Sequence, residues 1–124
     1  MLPFEITLKR GTPVYEQVLY ASKKAIVSGQ LRTGDAFPSV RAISKELKVN
    51  PNTVQKAISI LKREGFLEVQ PGVGTMVTKP THTNPKQRAE LLEGDMESIV
   101  LKAKELSLPL DEVIKAMRKH WKEL

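Results

Sequence analysis

The chain has 124 residues, of which 40% are hydrophobic and 27% charged, so it is long enough for one small globular domain with a short additional segment. It contains no cysteine, which excludes disulfide bonds and thiolate metal sites and fits a reducing compartment. No apolar run approaches the roughly 20 residues that span a bilayer, and the N-terminus lacks a signal-peptide pattern. We therefore expect a cytoplasmic protein without a membrane partner.

Positive charge is concentrated in the first two-thirds of the chain, which accounts for all of the net charge of +6. Residues 1–79 contain 12 Lys and Arg against 6 Asp and Glu, whereas residues 80–124 contain 8 of each sign. An excess of positive charge confined to one segment favours a polyanionic partner over a merely solvated basic surface.

The first elements are a short strand and a helix. Alternating apolar and polar residues predict the strand over residues 4–8. Helical periodicity then predicts a helix that begins near Pro13 and ends at Gly29, with a wide apolar stripe facing a core. A turn region follows, in which Leu31 and Phe37 are the expected inward-facing anchors.

Two further helices are predicted close together. Ser39 caps a short helix over residues 40–47, and Asn50 caps a third helix that has Pro51 at its first position. The exposed side chains at the start of the third helix are Asn52, Thr53, Gln55 and Lys56, and the opposite face is apolar, with Val54, Ala57, Ile58 and Leu61. This pattern is typical of a helix-turn-helix that reads the DNA major groove, although an ordinary amphipathic surface helix also fits the third helix alone.

A β-hairpin follows the third helix. Residues 66–70 and 75–78 alternate around a glycine-rich turn at residues 71–74, which lacks the Gly-Lys-Ser/Thr ending of a nucleotide-binding loop. Three helices closed by a hairpin form a winged helix, so residues 1–79 are predicted to be a winged helix-turn-helix domain. In a wing, Gly72 and Gly74 would let the backbone approach a DNA phosphate closely.

The C-terminal part is predicted to be a linker, residues 80–85, followed by two amphipathic helices in residues 86–124. The first carries a heptad seam that Gly94 interrupts and is expected to bend, and Asp111 is expected to cap the second. Such helices must pack on the first domain, on each other or on a second copy, and the homodimer is the interpretation we favour. The expected dimerisation residues are Leu92, Met96, Ile99, Ala103, Leu106, Val113, Ile114, Met117 and Trp121.

Six short segments, in this order, resemble the GntR family of bacterial transcription regulators: residues 13–18 (PVYEQV), 28–35 (SGQLRTGD), 37–41 (FPSVR), 49–54 (VNPNTV), 61–65 (LKREG) and 72–75 (GVGT). Two of them, residues 37–41 and 49–54, resemble the YtrA subfamily, as does the length of about forty residues after the wing. The resemblance implies a mostly α fold with a small β-hairpin wing and a two-helix dimerisation segment. It also implies repression of an operon, often one encoding an ABC transporter. Many members have Arg where this chain has Pro51, Asn52 and Gln55, and a basic residue is frequent at the position of Val73.

The candidate DNA contacts follow from side-chain chemistry. Arg41 can pair bidentately with a guanine edge or a phosphate. Asn52 and Gln55 can pair with adenine, whereas Thr53 and Lys56 are better suited to phosphate.

The remaining candidates in the DNA-binding set have mainly structural roles. Asn50 and Pro51 begin the third helix, and Gly72 and Gly74 form the turn. Ser39 is a helix cap whose first turn can also hold a phosphate.

Other functions find less support in the sequence. No nucleophile–base pair or metal-ligand spacing is visible around His82 or His120, so we expect neither an enzyme nor a cofactor. Met117 and Trp121 fit a dimer core better than an effector pocket, which is the alternative interpretation of these two residues. A winged helix used for protein association, with no specific operator, is the alternative function.

Overall fold

The structure is a computed structural model, and it describes residues 2–80 and 84–124. Residues 81–83, which include His82 and make up half of the predicted linker, therefore lie outside the described residues. The chain forms two compact units, Met1–Pro80 and Thr81–Leu124. Within the described ranges, no helix is long and apolar enough to cross a membrane.

The first unit contains three helices followed by a hairpin. The helices are α1 (Val14–Val27), α2 (Val40–Leu47) and α3 (Pro51–Arg63), and the strands are β1 (Leu67–Gln70) and β2 (Gly74–Val77). The strands are antiparallel, with Leu67 opposite Val77 and Gln70 opposite Gly74. The predicted winged-helix fold is confirmed.

Helix α3 lies at the centre of the first unit and packs against α1, α2 and β1. Its apolar face is fully enclosed because Val54, Ala57, Ile58 and Leu61 recur at helical spacing and point to one side. They meet Ile26 from α1, Ile43 from α2 and Val77 from β2, all of which are inaccessible to solvent. The opposite face of α3 is therefore left for solvent or a ligand.

Local signals set the ends of the helices, as the sequence indicated. The hydroxyl of Ser39 accepts a hydrogen bond from the amide of Ala42 at 3.1 Å, and the side-chain oxygen of Asn50 accepts one from the amide of Asn52 at 2.8 Å. Each bond satisfies an amide that the helix itself leaves unpaired. Gly29 follows α1 with a φ of +84°, a conformation that costs a glycine little.

The predicted strand over residues 4–8 is wrong. This segment is irregular and forms no ladder with any described strand. Its alternation reflects burial instead, because Phe4 is buried and its ring stacks on Phe37 with centroids 5.9 Å apart. The extended segment that joins the sheet lies elsewhere: the amide of Phe37 donates to the carbonyl of Thr75, and the amide of Val77 donates to that of Asp35.

The second unit is helical. It contains α4 (Pro85–Ala89), a π-helical segment (Glu90–Asp95), α5 (Met96–Glu105) and α6 (Leu110–Glu123). Asn84 caps α4, so the end of the predicted linker already belongs to a helix. Gly94 lies inside the π-helical segment, which interrupts the α-helical spacing between Leu92 and Met96 that the predicted seam assumed.

The start of α6 also differs from the prediction. Pro109 occupies the cap position and Asp111 lies within the first turn, so Asp111 does not cap the helix. Helix α5 ends at Glu105, and Ser107 in the connection to α6 adopts a left-handed φ of +56°. No residue among 84–124 is buried.

Candidate nucleic-acid interface

The leading end of α3 presents polar side chains to solvent. Asn52, Gln55 and Lys56 are exposed and Thr53 is half-buried, whereas the intervening Val54 is fully buried. The apolar face fixes the rotation of the helix, so the four polar side chains are held on the outer side. They could reach base edges and phosphates without disturbing the core.

The two capping residues have little hydrogen-bonding capacity left for a ligand. The side-chain oxygens of Ser39 and Asn50 already accept the amide hydrogen bonds that begin α2 and α3. Pro51 has no amide hydrogen and occupies the first position of α3. These three residues act first on the geometry of the helix-turn-helix.

Arg41 is available for a ligand. It lies in the first turn of α2 and is exposed. Among the described residues, its guanidinium forms no hydrogen bond or ion pair. An unpaired guanidinium retains its full fork of donors for a guanine edge or a phosphate.

Lys56 and Gln55 already have partners inside the protein. The ammonium of Lys56 lies over the ring of Tyr15 in α1, 3.8 Å from the centroid, which is a close cation–π contact. The side-chain amide of Gln55 donates to the hydroxyl of Ser59 one turn later, at 3.1 Å. To contact DNA, each side chain would either retain its internal partner or replace that contact with one to DNA.

Tyr15 belongs to the apolar stripe predicted for α1, and its sequence position indicates no further role. The structure shows it half-buried at the start of that helix, where it touches the one charged side chain at the leading end of α3. No local pattern could have revealed this pair, because the two residues meet only through the packing of α1 on α3.

The opposite end of α3 is tied to α1. The ammonium of Lys23 lies 2.8 Å from a carboxylate oxygen of Glu64 and 5.4 Å from the centroid of the Phe66 ring. The pair is about a third exposed, so its electrostatic contribution is partly screened. Contacts at both ends of α3 thus link it to α1.

The tip of the hairpin is open. Gly72 and Gly74 have φ values of +76° and +120°, and a Cβ atom built on either would meet nothing within 4 Å. The glycines are therefore needed for the turn rather than for internal packing. Val73 between them is 67% exposed, so the wing presents an apolar tip rather than a positive charge.

The predicted dimerisation residues lie on the helices of the second unit. Met96, Ala103 and Val113 are half-buried, and the other six are exposed, with Trp121 reaching 84%. Across the described ranges, no group of three or more His, Cys, Asp or Glu could hold a metal ion.

Comparison with known proteins finds relatives that are similar in sequence and architecture. The family model "Bacterial regulatory proteins, gntR family" matches residues 14–77. The HTH-type transcriptional repressor YtrA of Bacillus subtilis (strain 168) is 36% identical over 102 residues, which cover 82% of this chain and 74% of the repressor.

Two solved structures are similar as well. A transcriptional antiterminator from Listeria monocytogenes EGD-e has a TM-score of 0.81 and 29% identity, over 94% of this chain and 88% of that one. AraR(DBD) in complex with operator ORE1 has a TM-score of 0.52 and 26% identity, over 63% of this chain and 98% of that one.

Proposed function

Because the chain belongs to the GntR family of bacterial regulatory proteins, we propose that it is a repressor that binds a palindromic operator as a homodimer. Membership of this family supports a DNA-binding transcriptional regulator rather than an enzyme. The observation that carries the proposal is the exposed polar end of α3, which is held in place by a buried apolar face. Arg41 at the start of α2 adds an exposed guanidinium that has no partner among the described residues.

In this mechanism α3 enters the major groove with its N-terminal end facing the bases. Arg41 pairs with a guanine edge or a phosphate, and Asn52 and Gln55 pair with adenine edges. Thr53 and Lys56 contact phosphates and fix the position of the domain without selecting a sequence. Gly72 and Gly74 bring the wing backbone close to the sugar–phosphate chain.

The attraction to DNA would come from the domain as a whole. Residues 1–79 carry all of the net charge of +6, whereas residues 50–57 contain Lys56 as their one charged side chain. Binding should therefore weaken as salt rises, because each phosphate contact releases condensed counterions. Base selection would rest mainly on amide side chains and on Arg41.

Homodimerisation is supported by the apolar residues that the second unit leaves in solvent. Most of the exposed large apolar side chains among the described residues lie in this unit, and Trp121 at 84% and Leu106 at 71% are the most exposed of them. Apolar side chains exposed in a group, rather than singly, mark interaction surfaces. A second copy would cover them and would present two winged helices to the two halves of an inverted repeat.

The regulated genes follow only from resemblance. The similarity to the repressor YtrA supports repression, and the resemblance to the YtrA subfamily implies an operon that encodes an ABC transporter. The genes beside the one that encodes this chain are the first place to look for the operator.

A gel-shift titration tests the proposal. The probes are the promoter fragment of the flanking operon, the same fragment with one half of its inverted repeat scrambled, and random DNA of equal length. We expect the intact promoter to bind at least about 10³-fold more tightly than random DNA. The scrambled probe should lie between them, and a reporter driven by the promoter should fall when the protein is expressed. Equal affinity for all three probes would reject a specific operator.

A further inference from the structure

The second unit contains two segments of opposite charge. The acidic segment, residues 90–97, has the carboxylates of Glu90, Glu93, Asp95 and Glu97 and no Lys or Arg. The basic segment, residues 115–122, has Lys115, Arg118, Lys119 and Lys122 and no Asp or Glu. The unit has no net charge overall, so its charge is separated along the chain rather than mixed.

Each segment combines its charge with exposed apolar side chains. In the acidic segment Leu91 is 52% exposed and Leu92 53%. In α6 the apolar stripe of Ile114, Met117 and Trp121 runs beside the basic stripe at three- and four-residue spacing. An apolar stripe flanked by charges of one sign is the arrangement that sets partner and register in packed helix pairs.

Within residues 84–124 neither segment has an ion-pair partner, because the ion pair in the described part of the chain lies in the first unit. The apolar stripe of α6 is only partly covered: Ile114 and Met117 are 37% and 39% exposed, and Trp121 is 84% exposed. Contacts inside the unit therefore leave the charges unpaired and the end of the apolar stripe in solvent.

We propose that the basic segment of one copy packs along the acidic segment of a second copy, and that the twofold axis of the dimer repeats this contact. This inference rests on the proposed homodimer and specifies its register. The alternative register, with each segment against its own equivalent, would place four like charges opposite four like charges. Exposed ion pairs are individually weak, so the apolar stripes would provide most of the affinity and the charges would select the alignment.

Charge reversal with mixing tests the register. The acid-reversed variant carries Glu90→Lys, Glu93→Lys and Glu97→Lys, and the base-reversed variant carries Lys115→Glu, Lys119→Glu and Lys122→Glu. Each variant alone would oppose like charges at both contacts, so its dimer dissociation constant should rise about tenfold or more at low salt. An equimolar mixture pairs reversed with reversed and native with native, so heterodimers should form with about the native affinity. Analytical ultracentrifugation with one variant fluorescently labelled measures all three.

The controls separate this inference from the dimer itself. Reversal of three other exposed lysines, Lys86→Glu, Lys102→Glu and Lys104→Glu, should leave the dissociation constant within about threefold of native. Circular dichroism checks that every variant keeps its helices.

Each remaining outcome decides the matter. A native dimer that is indifferent to both reversals would overturn the register and leave the homodimer intact. Recovery only when both reversals are in one chain, and not on mixing, would place the pairing within a chain. A native protein that is monomeric at all concentrations would overturn the homodimer and the register together.

Discussion

The apolar stripes of α3 and α6 have similar spacing but opposite fates. In α3 the stripe is enclosed by α1, α2 and the hairpin, so that Val54, Ala57 and Leu61 have no accessible surface. In α6 the corresponding stripe ends at Trp121, which is 84% exposed. Periodicity therefore specifies which residues share a face, but not whether the rest of the chain covers that face. The first unit contains its own core, whereas the second leaves large apolar side chains exposed.

The largest expected effect comes from separating the two units. Truncation after Lys79 should leave a folded winged helix, because its core lies within residues 4–77. The truncated protein should be monomeric and should bind the operator about 10²–10⁴-fold more weakly, since the second half-site no longer binds intramolecularly. Sedimentation and gel-shift titration measure the two properties, and a truncated protein that still sediments as a dimer would contradict the proposed role of the second unit.

The next effect compares leucines of the two units. Leu61→Ala should lower the free energy of unfolding by about 2–5 kcal/mol, because it removes a fully enclosed side chain and leaves a cavity. Leu106, which is 71% exposed, is the matched control; at concentrations where the protein is monomeric, Leu106→Ala should change this free energy by less than about 0.5 kcal/mol. Urea denaturation measures both. Similar losses would mean that the second unit contains a core of its own.

A smaller effect concerns base contact within the first unit. Arg41→Ala should reduce specific operator affinity by about 1–3 kcal/mol while changing affinity for random DNA much less. Arg63, exposed at the far end of α3, is the control, and Arg63→Ala should not alter the ratio of specific to random binding. An unchanged ratio for Arg41→Ala in the same gel-shift titration would reject its role in base recognition.

The smallest effect concerns the contact between α1 and the leading end of α3. Tyr15→Leu removes the ring beneath Lys56 and should weaken DNA binding by about 0.5–1 kcal/mol, because the ammonium is no longer held in place. Tyr20→Leu on the exposed side of the same helix should have no effect. Tighter DNA binding by Tyr15→Leu would show instead that the ring withholds Lys56 from phosphate.

The parts of the fold that the sequence predicted depend on neighbouring residues. Ser39 and Asn50 cap the amides within three positions of themselves, so their signals are local. The sequence of the irregular N-terminal segment predicts a strand because Phe4 is buried against Phe37, and burial alone produces the same alternation.

The candidate site shows the same division. The exposed face of α3 follows from its own periodicity, whereas the pairing of Lys56 with Tyr15 depends on how two helices pack. Likewise, no residue near Asp35 indicates that its segment will pair with β2. The prediction fails where tertiary contact determines the structure.

The π-helical segment sets the rotation of α4 about the helix axis relative to α5. Ala89 before it and Met96 after it both keep right-handed helical torsions, so the helical run from Pro85 to Glu105 is unbroken. A π-helical turn behaves as an α-helical turn with one residue inserted. Successive residues of an α-helix are rotated about its axis by about 100°. Loss of a single residue there would preserve the helix but rotate α4 relative to α5. In the proposed homodimer, the length of this segment would therefore affect which copies can pair, without altering any of the proposed DNA contacts.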